Sequence, residues 1–249
     1  MKIRYASLAA FAGSMLLFLG LPAWGQVSVS MSTNASGTGT WESPEGDVYT
    51  GVYTGTASGL PGANPGIVCD DFQDETYSSE TWQASALNAA SLNTSNIGGT
   101  DFGNTIGLQG YLEVATLVSY MFSGSSGFSP TELSSAIWYI TSAGSPSLET
   151  SLWNDMDLTA QNLVNALKTE FGGLSNGAAQ ALLAQFSNLW ILTPMAGTQS
   201  PSGDGTPQEM WVSVPEGGAA LLYLLLAGLT CFGAMYRTGR KRAAKRITA

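Results

Sequence analysis

The sequence contains no histidine, which removes the usual general base and the commonest metal ligand near neutral pH. It has only two cysteines, Cys69 and Cys231, and the second lies inside a C-terminal apolar run. The central part of the chain therefore cannot contain an internal disulfide. Its fold must be stabilised by packing alone.

Positive charge is almost absent from the middle of the chain. Of the nine Lys and Arg residues, only Lys168 lies between the first apolar run and the last, whereas all eighteen acids fall between Glu42 and Glu216. Nucleic acids and anionic lipids bind basic surfaces, so the composition excludes a nucleic-acid partner. A cationic or basic partner suits this central part better.

The first 25 residues have the pattern of a secretory signal peptide. Lys2 and Arg4 precede an apolar run over 6–21, and small residues follow at Ala23 and Gly25. This order predicts cleavage between Gly25 and Gln26 and export of the residues that follow.

The C-terminus combines a short motif, an apolar run and a basic tail. The motif Val214-Pro215-Glu216-Gly217 lies in a linker over 213–218, followed by an apolar segment (219–236) and a basic tail (237–249). Eighteen helical residues rise about 27 Å, close to the roughly 30 Å of a bilayer core. The pattern predicts a single transmembrane helix with its basic tail in the cytoplasm.

This C-terminal arrangement resembles the sorting signal of the PEP-CTERM proteins of Gram-negative bacteria. Val214, Pro215 and Glu216 match the motif of that family, and Gly217 stands where the family has a second proline. The resemblance implies processing by an exosortase and an inner-membrane intermediate held by the C-terminal helix. It also implies a final location at the cell surface or in the extracellular matrix, in association with exopolysaccharide or biofilm.

Residues 26–212 are predicted to form one exported domain of the α+β class. Residues 27–40 are either a flexible leader or a weak first strand. Strands are predicted over 47–56, 67–69, 80–84, 190–193 and 208–212, with a hairpin across the turn-rich segment 58–66 and an antiparallel pair at the C-terminal end.

The spacing of apolar residues predicts helices in the middle of this domain. The predicted helices cover 110–122, a segment that opens at Ser129, 160–171 and 178–189. The expected architecture is a small antiparallel sheet or sandwich of N- and C-terminal strands around a central helical segment, together with the single C-terminal transmembrane helix.

An acidic cluster follows the predicted strand at Cys69. Its members are Asp70, Asp71, Asp74 and Glu75. Four carboxylates can supply oxygen ligands to calcium, but the spaced order of a calcium loop is missing. The cluster is therefore either a calcium site or a solvated acidic edge. Asp155 and Asp157 are expected to mark a helix start.

Cys69 is either a buried free thiol or part of an internal thioester. A strand-borne cysteine followed by a helix with Ser134-Ser135-Ala136-Ile137-Trp138 is similar to the layout of thioester adhesion domains. Ser134 stands where that family has the bonding glutamine. The bond needs a carboxamide, so Gln109 or Gln83 could supply it only if the fold brings one of them to the thiol.

Aromatic side chains offer a second kind of candidate site. Tyr49 and Tyr53 are predicted to share one exposed strand face, where they can stack on sugar rings, whereas Trp190 and Trp211 are predicted to be core.

The sequence contains no pattern of catalytic residues. Lys168 has Asn165 three positions before it, so the Ser-x-x-Lys pattern of serine catalysis is missing. We expect a non-enzymatic structural or matrix-associated surface protein without a cofactor. The alternative is a non-covalent adhesin or carbohydrate-binding module in which calcium bridges the contact.

Overall fold

A closed antiparallel barrel forms the framework of the protein. The computed structural model describes residues 24–32, 39–43, 46–60, 66–74, 79–124, 126–197 and 205–214. Its strands are β1 (Trp24–Met31), β2 (Gly39–Ser43), β3 (Gly46–Thr50), β4 (Tyr53–Ser58), β5 (Gly66–Cys69), β6 (Thr81–Asn88), β7 (Leu189–Pro194) and β8 (Met210–Ser213). Six of them close in the order β1-β4-β5-β8-β7-β6, whereas β2 and β3 form a separate hairpin.

The barrel interior is filled by alternate side chains of its strands. In β6, Trp82, Ala84 and Ala86 are buried and point inward, whereas Gln83 between them is exposed. This period of two is the normal consequence of strand geometry. The small alanines leave room for the Trp82 indole, which is 2% exposed.

Five α-helices lie between β6 and β7 in the described part of the chain. They are α1 (Gly103–Ser123), α2 (Pro130–Thr141), α3 (Pro146–Asp155), α4 (Leu158–Phe171) and α5 (Asn176–Leu183). Gly107 interrupts α1 near its start with a φ of 65°, a conformation that side chains with a Cβ rarely adopt. The helix proper therefore runs from Leu108.

Local sequence explains where the later helices begin. Ser129 and Glu132 form a reciprocal capping box at the start of α2, and Pro130 occupies its first turn. The side chains of Asp157 and Ser175 accept backbone hydrogen bonds at the starts of α4 and α5.

The helices cover one outer face of the barrel and form a second core there. Its barrel members are Val68, Leu87, Leu189, Ile191 and Trp211, and α1 contributes Leu108, Tyr111, Leu112, Val114, Ala115, Leu117, Val118 and Met121. Polar groups of the outer barrel face that lie under α1 are therefore removed from water.

The predicted fold class is wrong, because the sheet closes into a barrel rather than remaining a small open sheet or sandwich. β1 pairs with β4 on one side and with β6 on the other, so the closed sheet has no free edge. No helix among the described residues is long and apolar enough to cross a membrane. Residues 219–236, where the sequence predicted a transmembrane helix, lie outside the described residues.

The single strand predicted over 47–56 is also wrong. Gly51 has a φ of 90° and divides this segment into β3 and β4, which belong to different sheets. The hairpin between β4 and β5 and the antiparallel pair of β7 and β8 are confirmed.

Two of the helix predictions need correction. The helix predicted over 178–189 ends at Leu183, and α3 was not anticipated. Asp157 marks a helix start as predicted, whereas Asp155 is the last residue of α3.

Candidate functional site

Asp70 and Glu209 form a buried carboxyl pair on the outer face of the barrel, beneath α1. Asp70 follows β5 and Glu209 precedes β8, and the β5–β8 register places them directly opposite each other. The Asp70 backbone N–H donates to the Glu209 carbonyl at 3.4 Å. Both residues are 0% exposed.

Glu209 is surrounded by hydrogen-bond donors. The Tyr111 hydroxyl donates to its Oε1 at 2.6 Å, and the Asp101 backbone N–H donates to its Oε2 at 2.9 Å. The Thr193 hydroxyl also donates to Oε2. Three donors stabilise the charged form, so they oppose the rise in the Glu209 pKa that burial causes.

Asp70 has far fewer donors. The Trp211 indole N–H donates to its Oδ2 at 2.5 Å, and its buried Oδ1 accepts no hydrogen bond. Burial, and next the charge of Glu209, raise the pKa of Asp70 well above its usual range. Burial also raises the pKa of Glu209, against the effect of its donors. The unequal donor sets favour a proton on Asp70 over one on Glu209.

A cavity of about 710 Å³ opens beside this pair, between the 98–101 segment, the middle of β6 and the end of β7. Its walls include Ser85, Thr100, Asp101, Thr193, Met195 and Thr206. Two of these wall residues are tied to Glu209, because Thr193 and the Asp101 N–H both donate to Oε2. The buried carboxylate therefore fixes the position of the cavity wall.

The Asp101 side chain is the acidic group of that wall, and it is exposed. Partial burial raises its pKa, and the charges of Glu209, Asp71 and Asp74 raise it further. Lys168 is the single basic residue in the part of the chain that the structure describes. Its ammonium group lies 4.5 Å from the Tyr139 ring centre and donates to the Tyr139 hydroxyl at 3.4 Å. No described basic side chain therefore offsets the acids beside the cavity.

The prediction of a solvated acidic edge is wrong for Asp70 and Asp71, which are 0% and 4% exposed. The Asp71 Oδ1 accepts the backbone N–H groups of Gln73 at 2.8 Å and Asp74 at 3.3 Å, so it stabilises a turn. Asp74 is half-buried, and Glu75 lies outside the described residues. Across the described ranges, no group of three or more acidic or cysteine side chains is arranged to hold a metal ion.

Cys69 lies inside the barrel with its thiol donating to the Asp71 carbonyl at 2.9 Å. Burial, and then the charges of Asp71 and Asp70, raise the pKa of this thiol. A buried, protonated thiol is a poor nucleophile.

The glutamines considered for a thioester are engaged elsewhere. Gln109 donates to the Leu174 carbonyl at 2.8 Å, and Gln83 accepts from Gln26 at 3.5 Å. The hydroxyl of Ser134 accepts the Gly51 N–H at 2.9 Å. Gln208, which was not predicted, lies near the thiol, but its amide donates to the Asp71 carbonyl at 2.7 Å and to the Asp74 carbonyl.

The two tyrosines proposed as a sugar platform do not share a strand face. Tyr49 lies on β3 and is 54% exposed, whereas Tyr53 lies on β4 and packs against the barrel core. The Tyr53 hydroxyl donates to the Tyr49 carbonyl. Trp211 is buried as predicted, and Trp190 is half-buried against the barrel core.

The two predicted processing sites lie at the ends of the barrel. Gly25 and Gln26 belong to β1, where they pair with Ala86 and Ser85 of β6. Val214 is 6% exposed, and its N–H donates to the Asn188 carbonyl at 2.7 Å. Pro215, Glu216 and Gly217 lie outside the described residues.

Four residues of the carboxyl site were not anticipated from the sequence: Tyr111, Asp101, Thr193 and Glu209. The one available signal was an acid directly next to each of two apolar strands, Asp70 after β5 and Glu209 before β8. Their meeting depends on a strand pair that joins distant parts of the chain.

The chain matches no protein-family model, and no curated protein or solved structure is significantly similar to it. These comparisons therefore transfer no role to the carboxyl pair or to the cavity. The role of both has to follow from the chemistry of their residues.

Proposed function

We propose that this chain is an exported, surface-sorted protein that is processed by an exosortase and works in the extracellular matrix alongside exopolysaccharide. The observation that carries the proposal is the position of the sorting motif relative to the fold. All six barrel strands lie within residues 24–213, and Val214, the first residue of the motif, is hydrogen-bonded to the barrel. Cleavage just after the motif would leave every barrel strand in place.

Signal-peptide cleavage is compatible with the barrel in the same way. Removal of residues 1–25 would shorten β1 by two residues and leave Gln26–Met31. The four residues that pair with β4, from Ser28 to Met31, would all remain. In the mature protein, β1 would therefore still pair with both β4 and β6.

The proposed role is binding rather than catalysis. Asp70 and Glu209 are fully buried and do not line the cavity, so neither carboxyl is placed to touch a substrate there. The strongly acidic domain repels anionic polymers, which leaves neutral or cationic matrix components as its partners.

The test is retention of the protein in the matrix of its native host. We expect the mature protein in the polysaccharide-rich fraction of wild-type cells, and its release into the medium when exopolysaccharide synthesis is deleted. Equal retention in both strains contradicts the matrix role. A strain that lacks an unrelated surface protein is the control for general loss of adhesion.

A non-covalent adhesin or carbohydrate-binding module is the second candidate. The cavity of about 710 Å³ favours it, because this volume lies within the roughly 300–1,000 Å³ of small-ligand sites and the walls carry several hydroxyl groups. In its calcium-bridged form, this function predicts a higher melting temperature with calcium chloride than with magnesium chloride. Equal melting temperatures in the two salts exclude the calcium-bridged form.

A further inference from the structure

We propose that the cavity beside the Asp70–Glu209 pair binds the ammonium group of an amino sugar, with Asp101 as its counter-ion. This inference rests on the proposed matrix function and specifies its ligand as a polymer that carries free hexosamine amines.

The acidic wall of the cavity favours a cationic ligand. Asp101 projects from a segment whose backbone is held by Glu209, and the charges of Glu209, Asp71 and Asp74 act on it. Lys168 makes its contacts with Tyr139 on the helical side of the molecule. No described basic side chain neutralises this wall, and the pKa of Asp101 is raised to about 8, so at pH 7 an entering ammonium group replaces a proton on the Asp101 carboxyl.

An unpartnered carboxyl oxygen of Asp70 lies behind the wall. Asp70 Oδ1 is fully buried and accepts no hydrogen bond, and Asp70 interacts electrostatically with both Glu209 and Asp101. Asp70 does not line the cavity, so a bound cation acts on it electrostatically and not by contact. A bound ammonium favours the charged carboxylates, so binding is expected to release protons.

The polarity and the size of the cavity suit a sugar. Its lining includes Ser85, Thr100, Thr193 and Thr206 together with Gly98, Gly99, Gly197 and Gly205. The hydroxyls of Thr100 and Thr193 already donate to Ile97 and Glu209, so they can only accept from a ligand. Glycines expose peptide N–H and C=O groups, which hydrogen-bond sugar hydroxyls. The volume suits a short oligosaccharide segment, and among the described residues that line the cavity the only long apolar side chain is Met195.

Calcium ions and anionic sugars fit this cavity less well. A calcium ion needs about six to eight oxygen ligands, and the described residues contain no group of three candidate side chains. An anionic sugar is repelled by Asp101 and by the acids behind it. An amine with neighbouring hydroxyls satisfies both the charge and the polar lining.

The experiment is isothermal titration calorimetry on the purified full-length protein with a fully deacetylated glucosamine tetramer. The matched ligand is the N-acetylated tetramer, which has the same ring and hydroxyl groups without positive charge. We expect binding of the amine form, and affinity for the acetylated form lower by about tenfold or more. Titration at pH 6, where the tetramer amines are already protonated before binding, in two buffers of different ionisation enthalpy should show proton release.

Two substitutions locate the site. Asp101→Asn should weaken binding of the deacetylated tetramer by about tenfold and abolish the proton release, whereas Asp101→Glu should retain both. Asp155→Asn removes another exposed acid, at the end of α3, and should leave binding unchanged. The melting temperature of each variant establishes that it is folded.

Four results overturn the inference: equal affinity for the two tetramers, unchanged binding in Asp101→Asn, displacement of the ligand by millimolar calcium, and absence of binding to both tetramers. None of these results affects matrix retention in the native host, so the inference can fail while the proposed function stands. Equal retention in the two host strains together with intact tetramer binding would overturn the proposed function and leave this inference standing.

Discussion

Asp70 and Glu209 face each other across the β5–β8 pair, and the donors around them are unequal: three reach Glu209, whereas one protein N–H group reaches the Asp70 side chain. Like charges directly opposite in a sheet destabilise it. Protonation of Asp70 removes this repulsion, and burial and the Glu209 charge raise the pKa of Asp70 well above its usual range. We therefore assign the proton of the pair to Asp70.

This assignment predicts opposite effects of two amide substitutions. Asp70→Asn keeps an oxygen for the Trp211 N–H and offers an N–H₂ group to Glu209, so the free energy of unfolding at pH 7 should stay equal or rise. Glu209→Gln turns an N–H₂ group toward existing donors and should cost about 2–4 kcal/mol. Urea unfolding of both variants measures the difference, and an equal loss in both contradicts the assignment.

Stability should increase as the pH is lowered from 7 to 5. Burial raises the pKa of Asp71 to about 7, with the Asp74 charge adding to it, and burial also raises the pKa of Glu113 to about 7. Between about pH 4 and pH 7, the folded state keeps protons that the unfolded state has lost, so stability falls as pH rises through this range.

The melting temperature at pH 5 and at pH 7 measures this effect. Each retained proton contributes at most about 1.4 kcal/mol per pH unit. Glu113→Gln should flatten the pH profile, because the amide does not titrate. A melting temperature that rises from pH 5 to pH 7 in the unmodified protein contradicts the prediction.

Cys69 should behave as an inert thiol. Its side chain is 2% exposed inside the barrel, and the Gln208 amide beside it is hydrogen-bonded as an intact carboxamide. Peptide mapping after treatment with iodoacetamide should show Cys69 alkylated only in denaturant. The intact mass should also show no loss of one ammonia. Such a loss would establish a thioester.

Two neighbouring aspartates provide a matched test of helix capping. Asp157 accepts the Ala160 N–H at 2.8 Å, whereas Asp155 ends α3 and is exposed. Asp157→Ala should lower the free energy of unfolding by about 1 kcal/mol, and Asp155→Ala should change it by less than about 0.5 kcal/mol. Equal effects of the two substitutions would show that the cap does not stabilise α4.

Short sequence patterns correctly predicted the helices and strands whose formation depends on neighbouring residues. Ser129 followed by Pro130 and Glu132 marks a helix start because the capping contacts lie within one turn. The strands around Val68 and Trp190 were visible as short apolar runs. In both cases the residues that decide the structure are close together in the sequence.

Barrel closure and the carboxyl site depend on pairings between distant residues. Val29 pairs with Ala57 and with Trp82, and a strand with two neighbours has the same alternating pattern as an edge strand. Asp70 meets Glu209 only through the register of β5 and β8, and α1 then buries both. An acidic segment in the sequence therefore gave no sign that two of its members were buried.

The most direct test of the sorting proposal is the intact mass of the surface-exposed protein from its native host, compared with a strain carrying Pro215→Ala together with Glu216→Ala. We predict that the unmodified protein begins at Gln26 and lacks the residues from near Glu216 to Ala249, whereas the variant retains its C-terminus. A protein that retains Ala249 in both strains would contradict processing at this motif.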